Sequence, residues 1–392
     1  MLSDRLAEIV GKENVSAGEE ARIVYAYDAS VLEGEARLVV WPRDGEQITR
    51  IVARAIEEGF DLVPRGGGTG LAGGAVPQGS VVLDLSKMDR ILAIDEQEKF
   101  AVVEPGVILQ ALNRQLQRRG LLFPVIPSSH RVCTIGGMIA TDAAGTRAIR
   151  FGKTADWIEE LEIIDGQARS IKAAKQDAQR CCGTEGTLGI ITEAKLKLIE
   201  PLPQTSLSLS KFDDPKELVA RVIELKRRKD IMAIEFIDGE ASRLAGLGDG
   251  LHLLVEYEGP KGEIREEAEI GRTWRMRDGA YPALASHGFS IIEDPQLPLE
   301  QAPELLRWLE ERKIPSFGHI GIGIIHPCFS RERQGEIEEM LKLVEGLGGE
   351  VSGEHGIGLR KKRWVDEAFI EEMQRLKEEY DPYSILNRGK LC

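Results

Sequence analysis

The sequence predicts an α+β protein built from two domains and a C-terminal tail. Three observations carry this. At 392 residues the chain is too long for one ordinary core. Residues 38–104 alternate strand and helix signals around one glycine-rich loop, and a second α/β segment completes residues 1–204. The character changes after Pro201–Pro203, where residues 205–348 interleave strands and helices one or two at a time, the pattern of an α+β domain with an antiparallel sheet. Residues 349–392 form the tail.

The elements follow in order. "MLSDRLAEIVGKENV" reads as a short amphipathic helix without a basic region and apolar run, so no secretory signal is visible. "RLVVWP" is a strand ended by proline. "DGEQITRIVARAIEEG" is a helix with Ile48, Ile51, Val52, Ala55 and Ile56 at helical spacing and Gly59 at its end. "FDLVPR" and "SVVLDLS" are strands flanking the glycine loop. "VILQALNRQLQRRG" is helical, and "EELEIIDG" and "LGIITEAKLKLIEP" are strands. In the second domain, Asp213 or Asp214 caps a helix with Pro215 in its first turn. Then come the strands "IMAIEFID" and "LHLLVEYEG", a charged helix over 261–276, a strand near 289–293, a helix near 299–312, a strand over 316–325 and a helix near 331–346. The tail holds a further motif and the helix "VDEAFIEEMQRLKEEY".

Composition excludes several classes. A net charge of −14 argues against general nucleic-acid binding. No apolar run reaches the ~20 residues of a membrane span. Cys133, Cys181, Cys182, Cys328 and Cys392 show no CxxC spacing, which speaks against a disulfide framework or an iron–sulfur site within the chain and makes a reducing cytoplasm the simplest compartment.

"PRGGGTGLAGGAVP", Pro64 to Pro77, contains a decoy. Gly68-x-Gly70-x-x-Gly73 satisfies the dinucleotide GxGxxG pattern, but a strand follows it and not a helix, and no GK[ST] is present. What remains is a β–loop–β connection whose small residues let backbone N–H groups converge on an anion. The plainer account is a long flexible hairpin loop. Six glycines in nine residues would be a costly choice for a loop with no ligand.

Three further stretches carry chemistry. "SGEHGIG" sets Glu354 beside His355, and adjacent side chains in an extended segment diverge toward different tasks. Its alternative is an ordinary polar turn. "WRMRDGAYPAL" contains Arg277, whose planar fork suits a carboxylate. Its alternative is a surface salt bridge on a charged helix. "HIGIGIIH" brackets glycines and isoleucines with His319 and His326. Positions seven apart on a regular strand face opposite sides, so one ion could bind both only through a bend at Gly321 or Gly323. The alternative is a buried strand whose histidines are satisfied by backbone carbonyls. The pair Cys181–Cys182 reads as small buried residues before it reads as a redox switch.

The ordered run of "PRGGGTGLAGGAVP", "IPSSHRVCTIGGMIATDAAG", "RFGKTADWIEELEIIDG", "GTEGTLGIITEAKLKL", "SGEHGIG" and "YDPYSILNRGKL" resembles FAD-linked oxidoreductases of the vanillyl-alcohol-oxidase/p-cresol-methylhydroxylase type, within them the D-lactate/glycolate dehydrogenase group. The resemblance covers nearly the whole chain. It implies a two-subdomain, PCMH-type FAD-binding domain over 1–204, a cap domain over 205–348 and a segment, 349–392, that returns to the FAD domain. It implies oxidation of a small D-2-hydroxy acid, of the D-lactate or glycolate class, to the 2-oxo acid, with hydride passing to the flavin.

Carried over by position, Arg65, Gly66, Gly67, Gly68, Thr69, Gly70, Leu71 and Gly73 would hold the pyrophosphate. Pro127, Ser128, Ser129, Gly136, Gly137, Thr141 and Gly145 would line the flavin and its linker, and Glu185, Gly186 and Ile191 would border the adenine side. His355 would be the general base and Arg277 the carboxylate anchor. His319, His326 and Glu354 would bind one divalent metal, zinc or manganese, leaving an open coordination position. Asp142, Ala144 and Arg388 depart from the usual asparagine, glycine and proline, and Ile322 and Ile324 replace the aspartate and asparagine of the family's histidine motif. No histidine lies in the glycine loop, so the FAD is expected to be non-covalent. The acceptor would lie outside the chain, as an iron–sulfur subunit, a quinone or a cytochrome. A homodimer, or peripheral attachment to a membrane through a partner, is compatible with this. The rival readings are a catalytically silent flavin-carrying subunit and a related oxidase of another alcohol. No lysine or arginine lies between Arg277 and Arg307, which points to a monocarboxylate substrate over a dicarboxylate. The nearby "IIEDPQLP" offers Ile291 and Ile292 as an apolar wall, with acidic Glu293 and Asp294 beside it.

Overall fold

The computed structural model describes residues 1–391; Cys392, the last of the five cysteines, lies outside the described residues. The chain divides into two compact units. The first comprises Met1–Ala143, Lys153–Pro201 and His355–Cys392, and the second Ala144–Gly152 and Leu202–Glu354.

The first unit holds two sheets, each with its own core. In the four-stranded sheet, Glu35–Val40, Gln78–Asp84 and Leu62–Arg65 are parallel neighbours, and Val15–Ser16 adds an antiparallel edge. Helix Gly45–Glu58 starts where the Asp44 side chain accepts from Gln47 N at 2.8 Å, and stops at Gly59, whose φ of 67° is left-handed. Its buried face, Ile48, Ile51, Val52 and Ala55, packs on Leu38, Val40, Leu62, Val81 and Leu83. The second sheet is antiparallel throughout, in the order Ile91–Asp95, Phe100–Val103, Gly189–Lys197, Ile158–Asp165, Ser170–Ala174. Its core takes Leu109, Leu112 and Leu116 from helix Leu109–Gln117. Cys181 belongs to that core and Cys182 packs against it. Burial pushes the Cys181 thiol up to about 11 and raises that of Cys182 too, so neither is a thiolate at neutral pH.

The tail is stitched into the first sheet. Buried Asp381 accepts from Ile385 N and Leu386 N at 3.1 and 2.8 Å, and Leu62 bonds the tail across the sheet edge: its N–H donates to Ile385 O, and its carbonyl accepts from Asn387 N.

The second unit is one six-stranded antiparallel sheet with helices packed on it, in the order Thr205–Phe212, Leu251–Glu258, Ile231–Ile237, Ser316–Gly318, His326–Phe329, Ile291–Ile292. Asp214, not Asp213, caps helix Pro215–Lys226. The charged helix begins later than expected, at Glu267, and runs to Asp278, because Ile264 is drawn into a bridge with Leu207 at the sheet edge. The strand expected near 289–293 contracts to Ile291–Ile292. These two isoleucines are buried in the sheet.

The excursion Ala144–Gly152 is anchored in this second unit by a buried ion pair, and Arg150 Nη1 adds a bond to Lys229 O at 2.8 Å. Arg147 donates through Nε and Nη2 to Glu256 at 2.6 and 2.8 Å, and Glu256 is fully buried in the middle of its strand. Removing one partner of such a pair strands a buried charge. Arg147→Ala should therefore cost about 3–5 kcal/mol in denaturant unfolding, and the double replacement Arg147→Met with Glu256→Met should recover most of it. A single-variant loss within the ~0.5 kcal/mol of an ordinary surface change would show that Glu256 does not depend on Arg147.

Candidate cofactor cradle and metal centre

Two constellations stand out, one in each unit. In the first, the loop after Arg65 connects strands that are parallel neighbours, with Arg65 opposite Asp84, so it crosses over and is not a hairpin. The loop packs on the turn that precedes helix Ile135–Thr141. A Cβ on Gly66 would come within 2.3 Å of Thr134 Oγ1, and one on Gly67 within 2.3 Å of Val132 O. Only backbone fits there, which is what an anion cradle of main-chain N–H groups needs. Thr134 caps the helix by accepting from Gly137 N at 3.2 Å, and Pro127, Ser128 and Ser129 lead into that turn. These residues fit a phosphate-bearing cofactor. Arg65 turns back, donating to Tyr27 O at 2.7 Å and lying over the Tyr25 ring.

Several expected residues have other partners. The Thr141 hydroxyl donates to Gly137 O within its helix. Gly145 falls in the other unit. Ile191 is part of the five-stranded sheet's core, since its strand position faces inward. Glu185, at a strained φ of 52°, directs its buried carboxylate to the tail: it accepts from Ile357 N at 2.6 Å and from Gly358 N at 2.9 Å. Burial raises the Glu185 carboxyl, against the pull of those N–H groups and of Lys390 and Lys361. Burial in turn holds the Lys390 ammonium down, to about 8, with Glu185 opposing it. Asn387 Nδ2 bridges Gly74 O and Glu185 O, and Leu359 N donates to Ala72 O. Four separated motifs thus meet around Glu185: the glycine loop's end, "GTEG", "HGIG" and "LNRGK". His355, half-buried, opens this segment, followed by Gly356 with φ of 81°.

In the second unit, "HIGIGIIH" is not a strand. Ser316–Gly318 and His326–Phe329 are the arms of an antiparallel hairpin, and Ile320–Ile322 is a single 3₁₀ turn between them. Gly323 ends that turn at φ 80°, where a Cβ would lie 2.2 Å from Leu297 O. The turn removes the parity problem of seven-residue spacing. It brings one ligand atom each from His319, His326 and Glu354 within 4.8 Å of one another. Glu354 Oε1 lies 3.6 Å from His319 Nε2 and 3.1 Å from His326 Nε2.

The supporting shell is polar despite Ile322 and Ile324, because it comes from distant strands. His319 Nδ1 is 2.7 Å from Glu235 Oε1, and His326 Nδ1 is 3.3 Å from Glu293 O, so both Nε2 atoms can face an ion. Asp294 accepts from Gly353 N and Glu354 N at 3.0 and 2.7 Å, which holds the third ligand's backbone. Burial pulls the His319 imidazole down, but the Glu235 and Glu354 carboxylates outweigh it and raise the group to about 9. A cation between Nε2 and Glu354 would take that proton's place. The donor set and its outer partners fit a divalent metal with an open position.

Arg277 lies beside this cluster. It is 4% exposed, its Nε donates to Glu235 Oε2 at 2.7 Å with Nη2 on the same carboxylate, and Nη2 is 3.4 Å from His319 Nδ1. The Nε–Nη2 edge is therefore engaged by Glu235, and Nη1 on the outer edge lies 3.8 Å from Asp278 Oδ1. Glu235 itself escaped the sequence reading. Its signal was there: one carboxylate in the middle of the otherwise apolar "IMAIEFI".

Comparison with known proteins adds the family context. Residues 36–173 match the FAD binding domain family, and residues 203–391 match the C-terminal domain of FAD linked oxidases. The glycolate oxidase subunit GlcD of Bacillus subtilis (strain 168) is 31% identical over 454 residues, covering 100% of this chain and 96% of that protein. A D-lactate dehydrogenase of Archaeoglobus fulgidus is 29% identical over 90% of this chain and 91% of its own length. A D-2-hydroxyglutarate dehydrogenase of Stutzerimonas stutzeri (strain A1501) is 27% identical over 90% of each. Among solved structures, an alkyldihydroxyacetonephosphate synthase shares the fold, with a TM-score of 0.72 at 18% identity over 99% of this chain and 84% of that one.

Proposed function

The chain belongs to the FAD-linked oxidases, and from that footing we propose that it oxidises a small D-2-hydroxy acid to the 2-oxo acid. The observation that carries this is the placement of Arg277 beside three convergent metal-type ligands, His319, His326 and Glu354. A 2-hydroxy acid carries a carboxylate and a hydroxyl on adjacent carbons. It can meet a guanidinium and an ion at once, whereas a polyol gives the guanidinium nothing to pair with.

Each residue has a defined task. Arg277 holds the substrate carboxylate with its outer edge, Nη1 exchanging its long contact with Asp278 for the substrate, and so orients the α-carbon. His319, His326 and Glu354 would hold a zinc or manganese ion, with the substrate hydroxyl at the open position. His355 takes the hydroxyl proton on its imidazole as general base. The backbone cradle of Gly66 to Gly70 and the 127–137 turn would hold FAD without a covalent link, no histidine being present in the loop. When bound, FAD supplies the hydride acceptor and the ion supplies Lewis acidity.

The absence of a second cation between Arg277 and Arg307 favours a monocarboxylate such as glycolate or D-lactate. Burying an unpaired second carboxylate costs several kcal/mol, roughly what breaking a buried ion pair costs. The electron acceptor would be an iron–sulfur subunit, a quinone or a cytochrome. The Bacillus relative's description as a subunit favours the first. Among the described residues no helix is long and apolar enough to cross a membrane.

The test is anaerobic reduction of the purified flavoprotein by glycolate, D-lactate and D-2-hydroxyglutarate, with kcat/KM for each. The monocarboxylates should bleach the flavin and lead the ranking, and acid precipitation should release the flavin. A higher kcat/KM for the dicarboxylate overturns the substrate reading. Flavin that no hydroxy acid bleaches overturns the activity and favours the silent subunit.

A further inference from the structure

Glu235 has no place in the reaction as described above, yet it touches two of the groups that do. It sits in strand Ile231–Ile237, every residue of which is buried, and is itself fully buried. A carboxylate in such a strand is tolerated only when both oxygens are paired. Here Oε1 meets His319 Nδ1 at 2.7 Å, and Oε2 receives Arg277 Nε at 2.7 Å and Nη2 as well. The partners come from 84 residues downstream on the hairpin and 42 residues downstream on the helix Glu267–Asp278.

We propose that Glu235 is a positioning residue that couples the metal centre to the substrate-binding arginine through its single carboxylate. Oε1 accepts the Nδ1 proton of His319, which leaves Nε2 as the ligand atom and fixes the ring plane. Oε2 fixes the roll of the guanidinium, so the same edge of Arg277 always faces outward. Neither contact can be kept independently by a neutral amide. A glutamine at 235 has one acceptor oxygen and one NH₂ group, and that NH₂ must then oppose either the His319 N–H or the Arg277 fork. The two sites therefore loosen together.

The coupling rests on the reading of His319, His326 and Glu354 as a metal centre, and the experiment separates the two. Chelator-stripped wild-type holoprotein and Glu235→Gln are titrated with zinc alone by calorimetry. KM and kcat for D-lactate are then measured with and without excess zinc, and flavin content and thermal unfolding serve as fold controls. The wild type should bind one zinc. Glu235→Gln should bind it about 10–100-fold more weakly and raise KM. Excess zinc should restore kcat while the raised KM persists, because the loosened arginine is not repaired by loading the ion. If Glu235→Gln does not fold, Glu235→Asp keeps the charge, withdraws it by one methylene, and should show the same two shifts at smaller size. A folded variant that binds zinc like the wild type, or one whose KM recovers fully with excess zinc, overturns the coupling. A wild-type protein that binds no zinc overturns the metal reading, and the coupling with it.

Discussion

Replacing His355 by asparagine should lower kcat for hydroxy-acid oxidation by about 10²–10⁴-fold, the usual contribution of a positioned general base. The reason is local. Glu185, in a turn 172 residues before Ile357, accepts from Ile357 N and Gly358 N, and Gly358 in turn lies against Ala72. The backbone directly after His355 is thereby clamped, which limits where the imidazole can swing. Asparagine keeps a polar side chain of similar reach but cannot take up a proton. Flavin content should be unchanged, and dithionite should still reduce the flavin fully. Turnover within tenfold of the wild type would remove His355 from the base role.

Glu354→Gln should be the second severe lesion. The carboxylate is the member of the cluster nearest both imidazoles, 3.1 Å from His326 Nε2 and 3.6 Å from His319 Nε2. Losing it leaves two neutral nitrogens, a poor trap for a divalent ion. Elemental analysis should find the variant without stoichiometric metal. If Lewis acidity contributes several kcal/mol, kcat/KM should fall roughly 10²–10³-fold. Chelation of the wild type should reproduce the loss, and zinc or manganese should reverse it. Full activity in a chelated, metal-free wild type would reduce the hairpin to a structural element.

Local chemistry was legible without the fold. Gly59 marks the end of one helix and Asp213 or Asp214 with Pro215 the start of another, and the glycine loop between two strands pointed to an anion cradle, because caps, φ restrictions and periodicity act within a few residues. His319, His326 and Glu354 were readable as types and as a resemblance. Their meeting was not. Counting along a strand placed the two histidines on opposite faces, and what reversed that count was a 3₁₀ turn closed by Gly323 against Leu297 O, a contact 26 residues away in the chain. Ile322 and Ile324 offer no polar support to the ligands; it arrives from elsewhere in the second unit, from Glu235, the Glu293 carbonyl and Asp294. Glu185 points to the tail and Arg147 draws its segment into the second unit for the same kind of reason. A buried carboxylate must find a donor, but nothing in its neighbours along the chain says which one. That choice is made by packing, when strands and turns bring together groups that sequence spacing keeps apart.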